Sequence, residues 1–406
     1  MENINKFKDQ AKLLGLSLLL GVIGGGVGAA FSLAIGFVTS LRSANGWLIC
    51  LLPVFAVLIV FIYQKLGING MGINQVFESA DGENKLSPKL TVGMFIAPLI
   101  SHLFGASVGR EGAALQLGSG IATGFSKIFH LDDEFRHILI RAGMAALFSA
   151  VFGTPFTAFI FVLEVVCVGT IHFKSAIPSL IASYSAYITA RFIGAEPEVF
   201  LLNNIPSFNI DTFLKILAIT ILTALLSIVF CYSLRYCSKF AKQLIKNDYL
   251  RIVIGGVIIV LLTFLIGNQD YNGAGINVIG RIFNSIFIPY STSFKPEAFV
   301  LKLLFTCISV AAGFKGGEIV PTLFIGATFG AFIATLLGLA VPFGAALGMI
   351  LLFCGVTNCP LASLFLAVEL FSGVGVWYFV PSIALCFLIS GKISLYSAQN
   401  HKFKYI

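Results

Sequence analysis

Asn69-Gly70-Met71-Gly72-Ile73-Asn74 stands early in the chain, and Asn272-Gly273-Ala274-Gly275-Ile276-Asn277 repeats it at an offset of 203. Outward from that pair, further matches keep the same order and nearly the same separation. Gly109-Arg110-Glu111-Gly112 is echoed by Gly316-Gly317-Glu318, with an offset of 207 between the glutamates. Gly120 and Gly124 return as Gly326 and Gly330 at 206, and Pro155 and Glu164 as Pro360 and Glu369 at 205. Matches this regular are the mark of a duplicated unit. The reading is a first copy over 13–195, a connecting loop over 196–211 and a diverged second copy over 212–400. Short segments, 1–12 and 401–406, flank them.

The unit belongs in a membrane. Of 406 residues 58% are hydrophobic and 11% charged, against roughly a quarter charged in soluble domains. Leu13–Leu41, Trp47–Tyr63, Phe213–Leu234, Ile252–Ile266 and Phe329–Val356 are long apolar runs, and about 20 such residues cross the hydrocarbon core as a helix. The first run is too long for a signal peptide and no small-residue cleavage site follows it. The fold class is therefore an all-α, polytopic membrane protein of two repeats, which in transporters are often inverted and built from broken, tilted helices; an odd number of crossings per copy would give the inversion. A net charge of +8 does not point to nucleic acid, because the basic residues are dispersed. Lys6 and Lys12, with the cluster Arg235, Lys239, Lys242, Lys246 and Arg251, place the N-terminus and the central loop in the cytoplasm. The eight cysteines include no CxxC pair and the five histidines are scattered. No metal, cofactor or disulfide is expected, and the cysteines read as small buried hydrophobes. Glycines at i, i+4, such as Gly21/Gly25 and Gly24/Gly28, read as close helix packing.

In each copy a glycine-rich piece stands immediately before an apolar segment. Gly109–Gly112 opens Ala113–Phe125, and Gly316–Pro321 opens Thr322–Leu337. A helix that starts at membrane depth leaves its first N–H groups without internal partners, and its dipole adds about half a positive charge there. That is an anion site made of backbone. Pro321 near the first turn costs no hydrogen bond. The loops at Gly70–Gly72 and Gly273–Gly275 can serve alike. Glu111 and Glu318 are candidate gating and proton-carrying groups, since intramembrane carboxylates are expensive to keep. Glu164 and Glu369, each closing a Pro-x8-Glu stretch, read as structural capping or pairing groups. Arg110 reads equally as an anion attractor at a vestibule or as an ion-pair partner.

These residues resemble the CLC family of chloride channels and proton-coupled anion exchangers, over essentially the whole chain. Gly109-Arg110-Glu111-Gly112 is similar to the family's gating-glutamate motif, with Glu111 as the gate. Gly317-Glu318-Ile319-Val320-Pro321 stands in place of its Gly-x-Phe-x-Pro motif, and Tyr396 in Ser394–Ser397 matches the tyrosine that closes the inner side of the anion site. The resemblance implies anion contacts from Met71, Gly72, Gly112, Ala113, Ile319, Val320 and Tyr396. Asn74, Phe77, Gly109 and Gly317 are implied to line the path.

The departures select a branch. Met71 stands where chloride-handling members have serine, and a thioether cannot donate a hydrogen bond. Ala113 replaces a common proline, Ile319 a phenylalanine, and Val165 the internal proton-transfer glutamate of chloride exchangers. Met71, Glu318 and the missing acid at Val165 together resemble the fluoride branch, which implies export of cytoplasmic fluoride in exchange for protons. Glu111 would swing inward past Met71 and Phe77 toward Glu318, and two carboxylates drawn together in low dielectric raise the proton affinity of one. The rival reading is a proton-coupled chloride or nitrate exchanger, or a passive channel, on the same fold. A membrane-embedded enzyme lacks a clustered nucleophile or metal site, so no enzymatic activity is expected. The remaining expectations are a homodimer in a bacterial cytoplasmic membrane, without an appended regulatory domain.

Overall fold

The structure, a computed structural model, describes residues 2–82, 86–202, 205–284 and 294–401. The tail expected over 402–406 lies outside them. The apolar runs become helices, sixteen α-helices among the described residues, and they fall into two matched sets of eight. The first set is α1 (Glu2–Ala44), α2 (Leu52–Leu66), α3 (Ile73–Asp81), α4 (Leu90–Phe104), α5 (Glu111–Ile128), α6 (Asp133–Phe152), α7 (Pro155–Glu164) and α8 (Phe173–Ile193). The second is α9 (Ile210–Leu244), α10 (Asp248–Ile266), α11 (Ile276–Phe283), α12 (Ala298–Ala312), α13 (Ile319–Leu337), α14 (Val341–Thr357), α15 (Pro360–Leu370) and α16 (Val376–Ser390). Equivalent helices stop in the same way: α4 and α12 end on Gly105 and Gly313, at φ 91° and 106°, a left-handed conformation that glycine adopts without a Cβ penalty.

Helix lengths set the architecture. The 43 residues of α1 reach about 64 Å, twice the hydrocarbon thickness, so the helix must tilt or project. By contrast α3, α7 and α11, with 9, 10 and 8 residues, reach about 12–15 Å and end inside it. The apolar run at Phe329–Val356 is not one crossing. It breaks at Gly338–Ala340 between α13 and α14, because Gly338 is left-handed at φ 64° and Pro342 suits a helix start. Trp47–Tyr63 likewise opens with a 3₁₀ turn, Gly46–Leu51, before Pro53 sets α2. The first helix runs through the expected boundary at residue 12 without a break.

Small residues bring the core backbones together. A Cβ built on Gly118 of α5 would stand 2.0 Å from the Gly143 carbonyl of α6, and one on Gly330 of α13 2.1 Å from that of Gly344 on α14. Gly21 and Gly25 pack on the Ala182 and Ala186 carbonyls of α8, where a Cβ would stand 2.6 Å away, whereas Gly124 meets only Pro88, at 4.0 Å. The outer helices α1, α2, α9 and α10 expose Phe37, Val54, Val229 and Leu265, as a surface facing lipid requires. Six of the eight cysteines are buried.

The two sets meet head to tail. Glu164 at the end of α7 accepts the Leu361 and Ala362 amides at the start of α15 (3.0 and 2.9 Å). Glu369 near the end of α15 accepts the Phe156 and Thr157 amides at the start of α7 (2.9 and 2.8 Å). Equivalent helices that cap each other's starts run antiparallel, which inverts one repeat against the other. The capping reading of both glutamates thus has its geometry.

Candidate functional site

The inversion carries the two glycine-rich pieces to one point. Gly109 N–H donates to the Gly317 carbonyl at 2.5 Å and Gly317 N–H to the Gly109 carbonyl at 2.7 Å, an isolated antiparallel bridge between the glycine-rich pieces of the two copies. Immediately after it α5 starts at Glu111 and α13 at Ile319. A Cβ on Gly317 would lie 2.3 Å from the Gly112 nitrogen, and one on Gly112 would lie 2.8 Å from the Gly317 Cα and 3.6 Å from Glu318 Oε2. Only glycine permits this approach. The open amides at these starts are those of Gly112 and Ala113 on α5 and of Ile319 and Val320 on α13; Pro321 has none to leave open. Ala113, Ile319 and Val320 are buried, so their amides face protein-enclosed space.

Glu111 is fully buried. Its Oε2 accepts the Arg110 backbone N–H at 3.1 Å, and its Oε1 accepts Arg110 Nε at 3.3 Å. The carboxylate therefore lies at its own helix start, where a bound anion would sit. Arg110 also donates to Ser32 Oγ at 3.2 Å and pairs with Glu198, so the ion-pair reading of Arg110 has two carboxylates behind it. Glu318 is the N-cap of α13 and half-buried. Its carbonyl accepts from the Thr322 N–H and hydroxyl, which fixes the first turn while its carboxylate stays beside Gly112.

The third piece is the loop before α3. Gly70 sits at φ 74°, a conformation that favours glycine. Met71 N–H donates to Ile68 O at 3.1 Å, and Gly72 N–H to Gln75 Oε1 at 3.0 Å. Both amides are engaged, so the open ones at this start belong to Ile73 and its successors rather than to Met71 and Gly72. Met71 itself is half-buried. Asn74 is a tie: its Oδ1 accepts Ala398 N–H at 3.2 Å and draws the C-terminal segment against α3. On that segment Tyr396 is buried and its ring meets Phe77 edge-on, centroids 4.9 Å apart. Its hydroxyl has no partner among the described residues. A buried O–H left unpaired is costly and fits an anion as its acceptor.

Comparison with known proteins gives the family. The family profile described as voltage gated chloride channel matches residues 55–391. The chain belongs to that family, the CLC family. A chloride/fluoride channel protein of Pseudomonas syringae pv. tomato is 32% identical over 96% of this chain and 86% of its own length. An H(+)/Cl(-) exchange transporter, ClcA, of Vibrio vulnificus is 26% identical over 98% and 92%. Among solved structures, a CLC-type fluoride/proton antiporter superposes with a TM-score of 0.92 at 31% identity, covering 98% of this chain and 99% of the other. A slow cyanobacterial Cl-/H+ antiporter gives 0.81 at 20% identity, over 93% and 94%, and shows the shared fold. The chain is thus a multi-pass all-α CLC membrane protein whose relatives are ion transporters.

Three groups at this CLC site escaped the motifs. Glu198 follows α8 and pairs with Arg110 across the chain. Lys302 of α12, fully buried, donates to the Tyr271 and Gly273 carbonyls at 3.0 and 2.6 Å and holds the loop that repeats Asn69–Gly72. Arg42, in the last turn of α1, is 5% exposed. A charged residue within an apolar run was the available signal for Lys302, and for Arg42 that signal is also given by residues that merely reach the interface.

Proposed function

We propose that this CLC protein exchanges fluoride for protons and exports cytoplasmic fluoride, with Glu111 as gate and proton carrier. One observation carries the reading: Glu111 occupies the start of α5 where it is bridged to the start of α13, with Glu318 at the second start. An ionised carboxylate and a fluoride compete for the same amides, and protonation removes the competitor's charge. Fluoride holds its water tightly, so entry requires fixed donors that replace hydration. The amides of Gly112, Ala113, Ile319 and Val320 and the Tyr396 hydroxyl are assigned that role. Met71, with no donor, withholds the stabilisation a chloride would receive from serine. Glu318 is assigned as the inner proton partner, the task that Val165 cannot perform.

Asn74, Phe77, Gly109 and Gly317 are assigned to shape the path. The repeats extend over 13–195 and 212–400, and the protein acts as a homodimer in a bacterial cytoplasmic membrane, with its N-terminus inside. It binds no cofactor, catalyses no covalent step and has no nucleic-acid partner.

The test is fluoride-driven proton movement in liposomes holding the native protein or Glu111→Gln. Native vesicles move protons in step with fluoride, and the variant moves none. Equal proton movement in both refutes the gate. Chloride moved in preference to fluoride supports the chloride-exchanger reading, and anion flux without protons supports a channel.

A further inference from the structure

A cavity of about 720 Å³ lies beside the Arg110–Glu111 pair, and the mechanism proposed above makes no use of it. Arg42, His102, Arg110, Asn272, Gly275 and Ile276 are among its lining residues. Its walls come from both repeats: the last turns of α1 and α4, and the loop and first turn of α11. That loop is the second copy of Asn69–Gly72, so the cavity stands where the second repeat would hold an anion loop of its own.

Charge in this cavity is unbalanced. Arg110 is matched by Glu111 and Glu198, and Asp270 on the wall is matched by Arg281 at 2.7 Å. Arg42 forms no salt bridge with a described residue, and its Nε and Nη1 have no partner among them. The guanidinium packs against the loop, where a Cβ on Gly273 would lie 3.0 Å from Nη1. Lys302 stands behind the loop as a second cation, bonded only to carbonyls and the face of Phe324. His102, 1% exposed, also leaves Nε2 unpartnered. A buried guanidinium without a counter-charge is strongly disfavoured, whereas an anion in the cavity would meet two open N–H groups and the positive end of α11.

We infer that this cavity is a second anion site, which takes a small inorganic anion of the halide class between Arg42 and the start of α11. Its cationic end and the gate share Arg110, so an anion held there waits one step from Glu111. The N-terminus of α1 is cytoplasmic by its lysines, and Gln269 after α10 reaches the Gly46 carbonyl after α1 at 2.9 Å. The cavity therefore opens on the outer side. The transport role of the site rests on the proposed exchange; its occupancy does not.

Crystals of the full chain grown in sodium bromide test occupancy directly. Anomalous density is expected within hydrogen-bond reach of the Arg42 guanidinium, lost in Arg42→Gln and kept at reduced height in Arg42→Lys. Bromide found only at the α5–α13 junction, or unchanged at this place in Arg42→Gln, overturns the site. In liposomes running in reverse, the external fluoride giving half-maximal uptake should rise about tenfold in Arg42→Gln, the loss of one charge-assisted contact. Arg42→Lys, which retains the charge and controls for folding, should stay within about threefold of native. Arg42-dependent bromide density without any fluoride transport refutes the exchange and leaves the site standing. No bromide at Arg42 in the native protein, together with native fluoride uptake by Arg42→Gln, refutes the site and leaves the exchange standing.

Discussion

Gly317→Ala places one methyl group where the two repeats touch. The new Cβ would stand 2.3 Å from the Gly112 nitrogen and 2.8 Å from its Cα, where ordinary contact begins at 3.4 Å. Both neighbours are backbone, so no rotamer relieves the clash and the helix starts must part by about 1 Å. That displacement carries the Gly109–Gly317 bridge, at 2.5 and 2.7 Å, beyond hydrogen-bond distance. Two lost backbone bonds at about 1 kcal/mol each and an overpacking cost of about 1–3 kcal/mol give a destabilisation of about 3–5 kcal/mol. The gate should suffer with the fold, since the amides of both starts turn away from their common point. The measurements are denaturant unfolding in detergent and fluoride efflux from liposomes. The expected outcome is that shift in unfolding free energy with efflux reduced by more than about tenfold. Gly15→Ala is the control, with nothing within 4 Å of its added methyl, and should change stability by less than about 1 kcal/mol. A Gly317→Ala protein that unfolds and transports as native would refute the reasoning that this contact forms the junction.

Fluoride flux of the native protein should rise as pH falls, because protonated Glu111 no longer competes for the amides, and Glu111→Gln should abolish that dependence in a pH series of efflux assays. Tyr396→Phe removes the unpartnered hydroxyl while keeping the edge contact with Phe77, so half-saturating fluoride should rise about threefold to tenfold with unfolding unchanged. Glu164→Ala strands the Leu361 and Ala362 amides and should lower the unfolding free energy by about 1–3 kcal/mol, with Glu369→Ala giving a similar loss. If neither shifts unfolding, the carboxylates are not the ties that hold α7 to α15.

The duplication was readable because glycine, proline and glutamate recur for backbone reasons that survive divergence: Gly109 and Gly317 must touch, and Pro155 and Pro360 both open short helices. The pairing of Glu164 and Glu369 was readable only in kind, since sequence shows a carboxylate at a helix end but not whose amides it reaches. The break inside Phe329–Val356 leaves no mark in hydropathy; its signals are Gly338, which takes the left-handed turn, and Pro342, which opens the next helix. Gln75, three residues after Gly72, folds back to take the Gly72 amide, a contact that the glycine motif alone does not show. Arg42 and Lys302 stayed hidden for a different cause. Their surroundings come from α1, α4, α11 and α12, and no local pattern joins four helices so far apart in the chain.

The mutual capping by Glu164 and Glu369 means that each half finishes folding only on the other. A ribosome that has released the first repeat holds a unit whose α7 start still has bare amides and whose closing carboxylate has nothing to grip. Co-translational insertion must therefore leave that unit provisional until the second repeat arrives, and quality-control proteases have their opportunity in that interval. The tandem linkage keeps the missing half at hand, so a single polypeptide is favoured over two separately made subunits.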